Sequence, residues 1–165
     1  MRRTDANFQA NANAPYQLAP GDRLRVIVFG QDSLSNSFNV DSSGQLSMPL
    51  IGLVPATGRT PAQLAREIEE KLRAGYVREP RVSVEVEAYR PFFVLGEVQT
   101  AGQYPYVNGM TVETAVAIAG GYTPRARKDQ AELTRSQDGR PMVSDVPVTQ
   151  PVRPGDTIFV HERFF

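Results

Sequence analysis

One turn-and-strand phrase stands near each end of the chain. LAPGDRLRVIVFG covers residues 18–30, and VRPGDTIFVHERF covers residues 152–164. Pro presets φ at the first central position of a turn and Gly accepts a positive φ at the second, so each Pro-Gly-Asp predicts a turn. Apolar residues then recur at alternate positions, which predicts a strand after each turn. The shared spacing predicts that the two phrases have related structural roles.

A helix is the clearest element between the phrases. Thr60 fits its N-cap, Pro61 its first position, and Gln63 completes a capping box. Gly75 is expected to end it. Its apolar stripe has three residues at helical spacing, namely Leu64, Ile68 and Leu72.

Strands are predicted on both sides of this helix. Residues 38–54 predict two short strands around a turn formed by Asp41 and Gly44, and the apolar run MPLIGLVPATG suits a barrel-like or edge strand. After the helix, RVSVEVEAY alternates strictly. The inward positions of that strand are three valines, Val82, Val84 and Val86.

The second half repeats this order in a smaller form. FFVLGEV and GQYPYV predict a hairpin around residues 99–102. Thr111 is expected to cap a helix over residues 112–119, which Gly120 and Gly121 end. Three more short strands are predicted in DQAELTRS, GRPMVSDVPV and GDTIFVHERFF. This order is β-grasp-like, so both halves are predicted to be α+β, each with one helix on a small sheet.

The break at Arg90-Pro91 predicts a domain boundary. Residues 16–90 and 91–165 are the two predicted domains. The polar residues 1–15 predict a disordered lead-in, because they contain no apolar run.

Composition excludes several classes of chemistry. Eighteen Lys and Arg balance eighteen Asp and Glu, so no net charge attracts nucleic acid or an anionic membrane. The chain has no Cys and a single His, His161, which excludes thiol catalysis, a His triad and a multi-His metal site. No catalytic residue, metal site or cofactor is predicted.

Three groups of polar residues have both a chemical and a structural interpretation. Glu85 and Glu87 could mimic the paired carboxylates of a glycosidase, but alternating charges are common on the exposed face of a strand. Asp22, Asp41 and Asp156 could ligate a metal, yet turn formation explains each of them. His161 is expected beside a strand edge or a subunit contact.

Several residues are candidates for contact with a polysaccharide or a partner. Tyr104, Tyr106, Phe92 and Phe93 could stack on sugar rings, although one of each pair is expected in the core. The basic cluster RARK, residues 125–128, is interpreted as a solvated loop. The predicted contact residues are Arg90, Tyr104, Tyr106, Asn108, Phe164 and Phe165.

Four segments resemble the polysaccharide export outer-membrane protein family. They are YQLAPGDRLRVIVFG, VDSSGQLSMPLIG, YVREPRVSVEVEAYRP and FVLGEVQTAGQYPYVNGMTVETAVAIAGGYTPRA. The resemblance covers residues 16–165. It implies a polysaccharide-export domain followed by a β-grasp domain of the soluble-ligand-binding type, SLBB. It also implies that the two Pro-Gly-Asp phrases open the first strand of the export domain and the closing strand of the β-grasp domain.

The resemblance implies a non-enzymatic, periplasmic, ring-forming component that conducts capsular polysaccharide or exopolysaccharide towards the outer membrane. The implied partners are the polysaccharide, further copies of the chain, and an inner-membrane polysaccharide co-polymerase. Two alternatives remain open: a carbohydrate-processing hydrolase that uses Glu85 and Glu87, and a soluble sugar-binding or signalling module.

The chain departs from long members of the family. Those members carry several β-grasp domains and a C-terminal amphipathic helix that builds a pore, and they begin with a signal peptide and a lipid-bearing Cys. The expectation is therefore a removed targeting segment and a separate outer-membrane partner, a β-barrel. Phe164 and Phe165 are a candidate contact with that partner, or else they pack within their own subunit.

Overall fold

The computed structural model describes residues 15–137 and 139–164. These residues form two compact units, an N-terminal unit of residues 15–90 and a C-terminal unit that begins at Pro91. Each unit has one helix and its own hydrophobic core, so the α+β fold class is confirmed. The lead-in predicted for residues 1–15 lies outside the described residues except for Pro15.

The N-terminal unit combines a three-stranded sheet, a hairpin and a helix. The sheet has the order β2-β1-β5 and is antiparallel, and β3 pairs with β4. The elements are β1 (Arg23–Val28), β2 (Asn36–Asn39), β3 (Gln45–Met48), β4 (Gly52–Pro55), α1 (Pro61–Arg73) and β5 (Val82–Ala88).

Helix α1 begins as the sequence predicts. The Gln63 amide N–H donates to Thr60 Oγ1 at 3.2 Å, and the Thr60 amide N–H donates to Gln63 Oε1 at 3.0 Å. Pro61 occupies the first helical position, where its missing N–H leaves no bond unmade. The buried side of the helix contains the predicted stripe and Ala65, namely Leu64, Ala65, Ile68 and Leu72.

Two strand predictions need correction. Residues 45–55 form two strands rather than one, because the chain turns back at Leu50 (φ +72°) and Gly52 (φ +73°). The apolar residues Leu50 and Leu53 concealed this turn, since both are largely exposed. In β5, Val84 is buried but Val82 and Val86 are only partly buried, as befits an edge strand of this sheet.

The C-terminal unit is a five-stranded mixed sheet crossed by one helix. The strand order is β7-β6-β10-β8-β9, in which β10 runs parallel to β6 and the other pairs are antiparallel. This arrangement matches the predicted β-grasp order. The elements are β6 (Phe92–Gly96), β7 (Gly102–Tyr104), α2 (Val112–Ile118), β8 (Gln130–Gln137), β9 (Arg140–Pro147) and β10 (Thr157–Val160).

Two glycine motifs hold this unit together. Gly96 has φ +86°, and a Cβ placed there would lie 2.2 Å from the Val160 carbonyl oxygen, so only glycine lets β6 approach β10 this closely. Gly120 and Gly121 end α2 with positive φ values, and the Gly121 N–H donates to the Val116 carbonyl at 2.9 Å. These contacts explain the LGEV and AIAGG segments.

Replacing Leu72 by Ala should destabilise the N-terminal unit by about 2–5 kcal/mol, because Leu72 is fully buried and its loss leaves a cavity. Glu70→Ala, on the exposed side of α1, should change the free energy of unfolding by about 0.5 kcal/mol or less. Urea denaturation followed by circular dichroism measures both. Equal midpoints for the two variants would contradict this placement of the helix.

Candidate functional site

The first Pro-Gly-Asp phrase forms a turn that its own aspartate closes. The Asp22 N–H donates to the Ala19 carbonyl at 3.2 Å, and the Ala19 N–H donates to Asp22 Oδ2 at 3.0 Å. Gly21 supplies φ +96° at the second central position. The Asp22 side chain is fully buried at the start of β1, so its carboxylate needs partners.

Tyr16 and Arg90 supply those partners. The Tyr16 hydroxyl donates to Asp22 Oδ2 at 2.6 Å, and the Arg90 N–H donates to Asp22 Oδ1 at 2.9 Å. Arg90 Nη1 lies 3.7 Å from Asp22 Oδ2 and donates to the Tyr16 oxygen at 2.7 Å. Burial, and then the hydrogen bond to Asp22, raise the pKa of Tyr16, so its hydroxyl keeps its proton.

The second phrase repeats this device in the C-terminal unit. The Arg153 N–H donates to Asp156 Oδ2 at 2.7 Å, and Gly155 has φ +83°. Arg135 binds the same carboxylate with two hydrogen bonds, Nε to Oδ1 at 3.0 Å and Nη2 to Oδ2 at 2.7 Å. Burial raises the pKa of Asp156, and the Arg135 guanidinium opposes that rise.

The interpretation of all three aspartates as turn formers is therefore correct but incomplete. Asp41 is exposed and accepts the N–H groups of Ser43 and Gln45, as a turn former does. Asp22 and Asp156 instead combine a turn with a buried ion pair. Sequence reasoning missed both arginine partners, because each comes from a distant segment.

The exposed side of the C-terminal sheet is the broadest candidate contact surface. We name it the outer sheet face. Register places Leu95 beside Phe159 in one row, and Phe93, Thr157, Thr134 and Val143 in the next. Phe93, Leu95 and Phe159 are 36–39% exposed, which is unusual for large apolar side chains on neighbouring strands. The outer sheet face consists of Phe93, Leu95, Thr134, Val143, Thr157 and Phe159. Glu132 and Asp145 continue the row of Leu95 and Phe159 on the same side of the sheet.

The predicted tyrosine contacts lie partly in the core. Tyr104 packs beside Phe92 with ring centroids 6.0 Å apart, and its hydroxyl donates to the Thr100 carbonyl. Tyr106 also packs against the core and is half-buried. Asn108 is exposed. Both tyrosines are therefore only partly exposed, and their contact with a polysaccharide or a partner stays a prediction.

The other predicted contact residues differ in exposure. The Arg90 side chain is only 26% exposed and is bound to Tyr16, whereas Phe164 is 91% exposed. Phe165 lies outside the described residues. His161 follows β10, which is a central strand and not an edge strand of the sheet. The other expectation, a subunit contact at His161, stays a prediction.

The basic cluster is part of a short ladder rather than a free loop. The Arg127 N–H donates to the His161 carbonyl at 2.8 Å, and the Arg163 N–H donates to the Arg125 carbonyl at 2.9 Å. The Arg127 side chain pairs with Asp129. The residues after β10 are thus held by residues 125–127.

Glu87 does not have the environment of a glycosidase general acid. Glu85 and Glu87 are both exposed on β5, and Glu87 Oε2 lies 2.7 Å from Arg23 Nε. This hydrogen bond lowers the pKa of Glu87. The general acid of a glycosidase needs a raised pKa, so the environment of Glu87 is the opposite of what that role requires.

Comparison with known families agrees with the two units. The family described as polysaccharide biosynthesis/export protein matches residues 10–87, and the SLBB domain matches residues 91–145. The chain belongs to the polysaccharide export family. Its first match covers the turn of Asp22 and helix α1, and its second covers the glycine motifs at Gly96 and Gly120.

The chain is similar to proteins whose names refer to different polysaccharides. It is 39% identical over 118 residues to the exopolysaccharide production protein ExoF of Rhizobium meliloti (strain 1021), over 64% of this chain and 28% of that protein. It is 25% identical over 184 residues to the EPS I polysaccharide export outer membrane protein EpsA of Ralstonia nicotianae, over 90% and 48%. It is 26% identical over 122 residues to the polysialic acid transport protein KpsD of Escherichia coli, over 73% and 22%.

The chain spans about a fifth to a half of the length of these curated relatives. The family is one of export proteins rather than enzymes. Among residues 15–137 and 139–164, no helix has both the length and the apolar character needed to cross a bilayer.

Asp156→Ala should destabilise the C-terminal unit by about 3–5 kcal/mol, because it leaves the buried Arg135 guanidinium without its carboxylate. Asp129→Ala removes the carboxylate of an exposed pair, which water and salt screen, so it should change the stability far less. Thermal unfolding of both variants gives the comparison. A melting temperature of Asp156→Ala as high as that of Asp129→Ala would show that the buried pair does not stabilise the unit.

Proposed function

We propose that this export protein is a periplasmic, ring-forming component of a polysaccharide export machine that conducts polysaccharide towards the outer membrane. The observation that carries the proposal is the order of its two units. A polysaccharide biosynthesis/export domain precedes an SLBB domain. EpsA, which is named an outer membrane export protein, matches across 90% of this chain and therefore across both units.

The surface chemistry of the two units supports a conduit better than a tight binding site. A sliding polymer needs contacts that are weak and similar along its path. Each 1.4 kcal/mol of added binding free energy lowers the dissociation constant about tenfold, so strong contacts would hold the polymer in place. Three arginines are paired with carboxylates of the same chain, in Arg135–Asp156, Arg90–Asp22 and Arg23–Glu87. An arginine paired in this way is less available to hold an anionic sugar strongly.

The outer sheet face supports assembly. Exposed aromatic and aliphatic side chains on a flat sheet are typical of protein contact surfaces. A contact between unlike surfaces of neighbouring copies closes into a ring when its rotation divides a full turn. The proposed partners are further copies of the chain, the polysaccharide, an inner-membrane polysaccharide co-polymerase and a separate outer-membrane protein.

A ring distinguishes this proposal from the alternatives. A soluble sugar-binding module can act as a monomer, and so can a hydrolase. Native mass spectrometry of the full chain, over a wide concentration range and with detergent or lipid present, is expected to show one closed oligomer. Monomers under all of these conditions would contradict the proposed ring and favour the binding module.

Phe159→Ser should shift the oligomer towards monomer without unfolding the chain, because Phe159 lies at the centre of the outer sheet face and is 39% exposed. Phe29→Ser is the matched control, since Phe29 is 61% exposed in the other unit. Native mass spectrometry and circular dichroism measure assembly and folding. A ring that survives Phe159→Ser but not Phe29→Ser would place the contact elsewhere.

A further inference from the structure

Two carboxylates and one imidazole meet beside the outer sheet face. Glu132 on β8 and Asp145 on β9 are directly opposite each other in the antiparallel ladder. Phe159 on β10 lies opposite Glu132, and His161 follows two residues later. One ligand atom from each of Glu132, Asp145 and His161 lies within 4.8 Å of the others.

Two carboxylates face each other across paired strands in this grouping. Glu132 and Asp145 are directly opposite, and like charges in such positions repel each other. His161 Nε2 is in hydrogen-bond contact with Glu132 Oε2. The grouping therefore offers one imidazole nitrogen and two carboxylates as ligand groups.

The sheet holds the three groups in place while leaving them accessible. The Phe159 ring packs beside the imidazole with centroids 4.7 Å apart, which limits the orientations of His161. The side chains of His161 and Glu132 are 42% and 21% exposed, so an ion can reach them from solvent. Two of the three positions are fixed by ladder register and not by a loop, which favours a preorganised site.

We propose that Glu132, Asp145 and His161 bind a divalent transition-metal ion, with Zn²⁺ the best match. Zn²⁺ takes imidazole nitrogen and carboxylate oxygen ligands, whereas Mg²⁺ and Ca²⁺ prefer oxygen ligands alone. Zn²⁺ usually has four ligands, so three protein ligands leave one coordination position open. Binding replaces the His161–Glu132 hydrogen bond by two metal bonds and places a cation between the two carboxylates. The coordinating nitrogen of His161 must be without a proton, so a proton on that nitrogen moves to the other ring nitrogen or to the buffer.

The sequence makes the test unusually clean. His161 is the only histidine and there is no cysteine, so an untagged chain has no thiolate site and only one imidazole. Isothermal titration of the untagged full chain with ZnCl₂ is expected to show one saturable site. In a ¹H–¹⁵N spectrum of histidine-labelled protein, the single imidazole should shift in step with that titration.

Three conservative variants assign the ligands: His161→Gln, Glu132→Gln and Asp145→Asn. Each should weaken Zn²⁺ binding by at least the roughly 10- to 100-fold loss that removing an outer-shell partner causes. Glu85→Gln is the matched control, because Glu85 is an exposed strand glutamate of the other unit, and it should leave the affinity unchanged. Circular dichroism of each variant checks that the sheet is intact.

Three results would overturn the proposal. The first is an absence of saturable Zn²⁺ binding to the wild-type chain. The second is binding that leaves the His161 imidazole signal unmoved, which needs no variant to interpret. The third is Ca²⁺ or Mg²⁺ binding as tight as Zn²⁺ binding, because this would show general attraction to two carboxylates and no role for the imidazole.

Discussion

A buried carboxylate at the start of a strand is the constraint on which each unit depends. In both units an Asp closes its own Pro-Gly turn by accepting the N–H three residues earlier, from Ala19 or Arg153. A buried carboxylate then requires a cation as its partner. In each unit that cation lies on, or directly after, a strand that pairs with the strand following the turn. Arg135 lies on β8, the antiparallel neighbour of β10, and Arg90 follows β5, the neighbour of β1. In each unit the ion pair therefore links the Pro-Gly-Asp turn to the strand that pairs with the one after the turn.

Local signals in the sequence predicted most of the elements, because their causes are local. The capping boxes of both helices involve residues three apart, Thr60 with Gln63 and Thr111 with Thr114. The arginine partners were not predictable in this way. Arg90 is 68 residues from Asp22, and Arg135 is 21 residues from Asp156. An Asp after Pro-Gly indicates a turn, but nothing in the phrase indicates which distant cation it will meet.

The alternation of apolar and polar residues along a strand also predicts only part of the structure. It predicted correctly that Leu24 and Val26, like Ile158 and Val160, face a core. It does not fix which strands are neighbours or how they are aligned, and a shift of one residue would move every side chain to the other face. Glu132, Asp145 and His161 come together only through the order β10-β8-β9 and its register. A chain with a single histidine has no site with several His ligands, but this count does not exclude a site with one His and two carboxylates.

The same strands thus carry two kinds of chemistry on their two sides. Inward positions of β8 and β10 hold Leu133, Ile158 and the buried Arg135, which fix the fold. Outward positions hold Phe159 and Glu132, which are partly exposed and contribute little to the core. Under the proposed function this separation is useful, because contacts with neighbouring copies or an ion can change without disturbing the ion pair at Asp156. A conduit built this way keeps its strong interactions inside each unit and presents weaker ones to what passes.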